Sequence, residues 1–214
     1  MSSDAPAGHR VSGRHEAGKV VGRSTVLLVR HAQPFVPYPG GPDDYERTLT
    51  DEGEQQAQRL VTELAAAAPA AIYSSPFLRA VRTVAPLARR TGLPIETHDD
   101  LREWDSGIEP TPDYERHYAA SWAEPGFARP GGESLQQLSD RATAILTASA
   151  RRHRGNTIVV GSHGTFIARA LVGFGRRDVG WTFQRGMPMP AVYRLDFEDE
   201  RVRACGPGLP PEAP

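Results

Sequence analysis

Four side chains in this sequence can act on an anion if the fold gathers them: His31, His163, Arg30 and Arg79. An unprotonated imidazole is a neutral nucleophile or base near pH 7. A guanidinium offers a planar fork of fixed donors that matches the oxygens of a phosphate. His31 follows Arg30 and the apolar run Thr25-Val26-Leu27-Leu28-Val29, and His163 follows Gly161-Ser162 and the run Thr157-Ile158-Val159-Val160. Taken singly, a histidine after a strand is more often a hydrogen-bonded structural residue, and Arg79 alone reads as a helix-surface residue. Converging on one point, the four would fit a phosphoryl group, and a helix N-terminus there would add free N–H donors and a positive dipole end.

Periodicity outlines the elements that must bring them together. Residues 25–29 are β-branched and apolar, long enough for a buried strand and too short for a helix. A Pro- and Gly-rich loop at 34–42 leads to Thr50, which caps a helix carrying Ala57, Leu60, Val61, Leu64 and Ala65 at helical spacing and ended by Pro69. Residues 71–75 read as a second strand. Pro76 suits the first turn of a helix whose inner face is Phe77, Ala80, Val81, Val84, Leu87 and Ala88. A third helix follows Gly131-Gly132-Glu133, with Leu135, Leu138, Ala142, Ile145 and Leu146 inward. It leads to the strand 157–160, which Gly161-Ser162-His163-Gly164 breaks before a last helix with Phe166, Ile167, Ala170 and Leu171. Residues 191–197 and 201–205 read as a terminal hairpin. The expected fold is α/β: a three-layer sandwich with a mostly parallel central sheet, helices on both faces and a C-terminal edge hairpin. Sites in such sheets lie at the C-terminal ends of the strands, where both histidines fall.

Composition sets the outer bounds. A chain of 214 residues, 39% hydrophobic and 24% charged, is expected to form one globular domain. Residues 1–23 are polar and aperiodic and are expected to be a disordered tail, in which His9 and His15 are bystanders. Residues 206–214 form a Pro-rich C-terminal tail, leaving 24–205 as the folded body. A net charge of −1 without a basic run points away from nucleic acid and from anionic membranes, and no stretch reads as a signal or a membrane span. The expected location is cytoplasmic. Lys19 is the only lysine, a bias that composition alone accounts for, so each arginine must be judged by position. Cys205 is the only cysteine, which excludes an intramolecular disulfide and a multi-cysteine zinc site. Gly161-Ser162-His163-Gly164 is not a serine-hydrolase elbow, because Val160 stands where that motif has glycine.

The sequence also resembles a family. Leu28-Val29-Arg30-His31-Ala32-Gln33 is similar to the Arg-His-Gly signature of the histidine phosphatase superfamily, the phosphoglycerate mutase-like group, and residues 48–57 resemble its next block. Residues 73–83 resemble the segment that supplies a second phosphate arginine, Arg79. Leu101-Arg102-Glu103 resembles the acid-bearing segment, and 161–164 the segment of the second histidine. These blocks occur in the family's order over about residues 26–174. Three positions depart from the pattern: Ala32 replaces a usual glycine, Arg82 a common glutamine, and Pro34-Phe35 the polar run of mutases.

The resemblance implies a metal-independent phosphomonoester hydrolase with no cofactor. His31 would be the nucleophile that becomes phosphohistidine, and Arg30, Arg79, His163 and the Gly164 N–H would bind the phosphoryl oxygens. Glu103 would be the general acid, favoured over the nearby Asp105, Glu109 and Glu115 by motif position. The expected partner is a small phosphorylated metabolite or a phosphoprotein. The alternatives are a phosphoglycerate-type mutase, a catalytically weak phosphate-binding regulatory module, and a metallohydrolase with His31, Glu103 and His163 as ligands. Tyr38, Trp104, Tyr114, Tyr118, Trp122 and Phe127 are candidates for a recognition surface, although aromatics are more often core.

Overall fold

The structure is a computed structural model that describes residues 22–38, 40–199 and 201–211. Residues 1–21, including His9 and His15 of the expected N-terminal tail, lie outside that set. Strand β1 (Arg23–Arg30) begins within the stretch expected to be tail. Its run Val26-Leu27-Leu28-Val29 is apolar without alternation because both faces are covered. Val26 and Leu28 face one core cluster, Leu27 and Val29 the other.

The remaining elements build outward from β1. Helix α1 (Asp51–Ala66) starts at Thr50, whose hydroxyl accepts from Gly53 N at 3.0 Å, and three acidic residues occupy its first turn. It buries Ala57, Val61 and Leu64. Strand β2 (Ala71–Ser74) leads into α2 (Leu78–Thr91), which ends at Gly92 in the left-handed conformation. Phe77 is the N-cap of α2, so Pro76, expected in the first turn, stands before the helix, and the interior proline is Pro86. Strand β3 (Ile95–Thr97) and a single 3-10 turn (Asp99–Leu101) follow. After α3 (Tyr114–Ala123), the helix α4 (Leu135–Arg152) opens on a reciprocal cap between Ser134 and Gln137. Strand β4 (Thr157–Ser162) precedes α5 (Gly164–Gly173) and the short α6 (Trp181–Gly186), and β5 (Ala191–Glu198) and β6 (Arg201–Cys205) form the terminal hairpin.

The six strands are ordered β3-β2-β4-β1-β5-β6, the first four parallel and the last two antiparallel. Helices α1 and α2 pack together on one face and α4 and α5 on the other, as the expected sandwich requires. One detail differs. Gly161-Ser162 does not break β4; both residues stay in the ladder, paired to Val29 and Arg30 of β1, because a strand held on both sides overrides glycine's weak β propensity. Beyond β6, residues 206–211 pack back on the body: the Tyr193 hydroxyl donates to Pro207 O and Arg176 Nη2 to Pro210 O.

A long excursion, residues 104–133, leaves the sheet edge and carries α3. Its two ends are pinned together: Glu133 N donates to Asp105 O, and Trp104 Nε1 to Glu133 O, both at 2.8 Å. Arg141 of α4 ties the Glu133 carboxylate from below.

Candidate active site

Strand register alone aligns the two histidines. Arg30 of β1 pairs with Ser162 of β4, and Ser74 of β2 with Gly161, so His31, His163 and Ser75 leave the same sheet edge as neighbours. The ladder bonds continue one step further, with His31 N donating to Ser162 O at 3.0 Å and Ser75 N to Gly161 O at 2.8 Å. The imidazoles of His31 and His163 meet edge to face with centroids 5.3 Å apart.

His31 is buried and its tautomer is set by its neighbours. Nδ1 lies 2.8 Å from its acceptor Ala32 O, so Nδ1 carries the hydrogen and Nε2 keeps its lone pair. Arg79 Nε donates to that lone pair at 3.3 Å. Burial, and then the charge of Arg79, push the His31 pKa down to about 3, so the ring is neutral throughout the physiological range. Ala32, in place of glycine, is fully buried, and its N–H donates to Thr83 Oγ1 of α2 at 2.9 Å, which fixes the turn.

His163 is fully buried, and desolvation followed by Arg79 holds it neutral as well. Its Nε2 lies 2.7 Å from Ser75 Oγ, whereas Nδ1 is buried with no partner. Arg30 repeats this pattern. Its Nη1 donates to the carbonyls of Met187 and Pro188, and its buried Nε has no partner among the described residues. Buried donors and acceptors are nearly always paired, so two orphans at one site mark where a polar ligand fits. Gly164 lets the Arg30 guanidinium pack close: a Cβ there would lie 3.2 Å from Arg30 Nε, and the arginine would have to give by a few tenths of an ångström. Gly164 also opens α5, which has no side-chain cap.

The Thr165 and Phe166 N–H groups of that same helix end donate to the Glu103 carboxylate, at 3.2 and 3.1 Å, and Trp104 N adds a third bond at 2.8 Å. Glu103 is thus held in the first turn of α5 beside Gly164. The alternative carboxylates are placed differently: Glu115 pairs with Arg185, and Asp105 and Glu109 are exposed. The structure therefore brings together all six residues singled out in the sequence: Arg30, His31, Arg79, Glu103, His163 and Gly164.

Sequence reasoning missed two partners. Ser75 is legible only as the end of the strand expected at 71–75, one residue past β2. Asp44 lies in the aperiodic loop between β1 and α1, yet its Oδ2 accepts from Arg79 Nη2 at 2.9 Å and its carbonyl from Arg79 Nη1 at 2.7 Å. The aromatic candidates divide. Trp104 is buried, Tyr118 packs against Trp104 and Trp181, and Tyr38, Tyr114 and Phe127 are exposed. Among the described residues, no group of three His, Cys, Asp or Glu side chains is placed to hold a metal ion, and no helix is long and apolar enough to cross a membrane.

Comparison with known proteins places the chain among relatives of similar sequence and fold. The chain is 32% identical over 152 residues to phosphoserine phosphatase 1 of Hydrogenobacter thermophilus, covering 64% of this chain and 70% of the relative. It is 29% identical over 172 residues to a probable phosphoglycerate mutase, GpmB, of Salmonella paratyphi C, covering 74% and 77%. Its fold superimposes on a mycobacterial glucosyl-3-phosphoglycerate phosphatase with a TM-score of 0.68 at 24% identity, over 86% of this chain and 98% of that one. Residues 26–205 match the sequence pattern of the histidine phosphatase superfamily (branch 1), and the chain belongs to that superfamily of phosphatases and phosphomutase-like proteins.

Proposed function

We propose that the protein hydrolyses phosphomonoesters of small metabolites or phosphoproteins through a phosphohistidine on His31. The observation that carries this reading is the neutral His31 Nε2 lone pair, presented beside Arg79 and two buried nitrogens without a partner among the described residues, Arg30 Nε and His163 Nδ1. A phosphoryl group whose phosphorus approaches Nε2 would place its oxygens among Arg30, Arg79, His163 and the Gly164 N–H, where charge building up in the transition state is stabilised.

In the first step the Nε2–P bond forms, the P–O ester bond breaks, and the leaving oxygen takes a proton from Glu103. In the second, water attacks phosphorus, its proton passes to Glu103, the N–P bond breaks and inorganic phosphate departs. The relatives named as mutases support a second reading, in which the phosphoryl group returns to an organic acceptor.

The test is hydrolysis of p-nitrophenyl phosphate by wild type and His31→Ala, with and without EDTA, together with an acid quench for an acid-labile phosphoenzyme. EDTA-resistant turnover that disappears in His31→Ala, with a phosphoenzyme in wild type only, is expected. Phosphate transfer to an added alcohol in preference to water would favour the mutase, and turnover abolished by EDTA would overturn both.

A further inference from the structure

We infer that Asp44 is a specificity-determining residue, selecting phosphomonoesters whose group next to the phosphate is cationic over those carrying a second anion. This deepens the proposed function and rests on it, since it assumes that a phosphoryl group sits between His31 and Arg79.

A guanidinium has two binding edges. Asp44 fills the one formed by Nη1 and Nη2, with its carbonyl and Oδ2, while Nε on the other edge faces His31 Nε2. Phosphate therefore has an edge of its own on Arg79, and Asp44 stays in place when it binds. The carboxylate is also built in from its other side. Arg47 donates to Oδ1 from Nε at 2.9 Å and from Nη2 at 2.7 Å, Leu78 N bonds Tyr45 O at 2.8 Å, and the rings of Tyr45 and Phe77 pack 4.2 Å apart. Even so, the Asp44 side chain is 48% exposed, so its charge is open to whatever lies beside the phosphate.

The arginines that act on the two histidines are already engaged. Those whose charge acts on the two histidines are Arg30, Arg79, Arg47 and Arg141. Arg47 is held by Asp44 and Phe35 O, and Arg141 by Glu133. Arg30 and the free edge of Arg79 are taken by the phosphate itself. A carboxylate or second phosphate on the substrate would meet the exposed side of Asp44, with Arg47 and Arg79 already engaged behind it, whereas an ammonium would find a partner there. Like charges repel across this half-exposed mouth, partly screened by solvent and salt.

Three two-carbon probes isolate this charge: O-phosphoethanolamine, phosphoglycolate and ethyl phosphate. Their affinities are measured by calorimetry on His31→Ala and on His31→Ala combined with Asp44→Asn or Asp44→Glu, and their turnover on the same series with His31 intact. The expected result is tighter binding of phosphoethanolamine than of phosphoglycolate, by about tenfold or more, with ethyl phosphate between. Asp44→Asn should shrink that ratio about tenfold, and Asp44→Glu should restore most of it. An unchanged ratio in Asp44→Asn, or no binding of any probe, overturns the inference. Failure of wild type to hydrolyse any ester while the binding ratio behaves as stated would refute the proposed reaction and leave the role of Asp44 standing.

Discussion

The depressed His31 pKa makes stability depend on pH in a way that one substitution can expose. Folded, His31 titrates near pH 3 because burial and Arg79 disfavour the imidazolium; unfolded, it titrates near the ordinary value of about 6.5. Above pH 6.5 both states are neutral and His31 carries no pH-linked cost. As pH falls from 6.5 towards 3 the unfolded chain binds a proton that the folded one refuses, so stability is lost through this window. The slope approaches about 1.4 kcal/mol per pH unit, and between pH 7.5 and pH 5 the loss from His31 amounts to about 2 kcal/mol. Replacing His31 with Gln removes this group, while His163, still desolvated and still facing Arg79, keeps its own contribution. Wild type should therefore lose about 2 kcal/mol more than His31→Gln over that interval. Urea unfolding followed by tryptophan fluorescence at half-unit steps measures both curves. Parallel curves would mean that His31 titrates normally in the folded protein, and would refute the claim that burial and Arg79 keep the nucleophile neutral.

Other outcomes follow from the same geometry. Glu103→Gln should lower kcat by about a hundredfold or more for alkyl phosphates and much less for p-nitrophenyl phosphate, which leaves without a proton; rates over a leaving-group series check this, and equal losses would remove Glu103 from proton transfer. Arg79→Lys keeps one charge but cannot serve Asp44 and a phosphate on two edges at once, so kcat/KM should fall by about 10²-fold or more with little change in fold by circular dichroism. Gly53→Ala would place a Cβ 2.1 Å from the Gln33 carbonyl oxygen, and chemical denaturation should show a loss of about 1–3 kcal/mol as α1 and the loop after His31 move apart.

Strands β1 and β4 were legible because burial on both faces gives them continuous β-branched runs, and α1, α2, α4 and α5 because each turns a regular apolar stripe to the core. The histidine that follows each of these two strands is legible as a neighbour of the other at one sheet edge, where their rings meet. What escaped had no periodic signal. Strand β3 is three residues long, α6 has six, and the one buried residue of α3 is Ser121. The role of Asp44 depends on a contact with Arg79, 35 residues away, made from a loop whose path no pattern specifies. Ser75 was visible as a strand end, but its bond to His163 required the register between β2 and β4.

The pinned ends of residues 104–133 separate two kinds of evolutionary change. Glu133, Asp105 and Trp104 close the excursion at its base, so the span between them can change in length without moving the points where the chain leaves and rejoins the body, while Ile108, Tyr118 and Trp122 pack it against the core. Glu103 stands just outside that closure, anchored to the first turn of α5 and to Trp104 N at the pinned base. Transplanting the loop of a relative between Asp105 and Glu133, with the bond of Trp122 to Gln184 retained because Gln184 in turn holds Thr165 beside Glu103, is thus a route to new substrate preferences, and it makes the base of the excursion a natural splice point for recombining members of this superfamily.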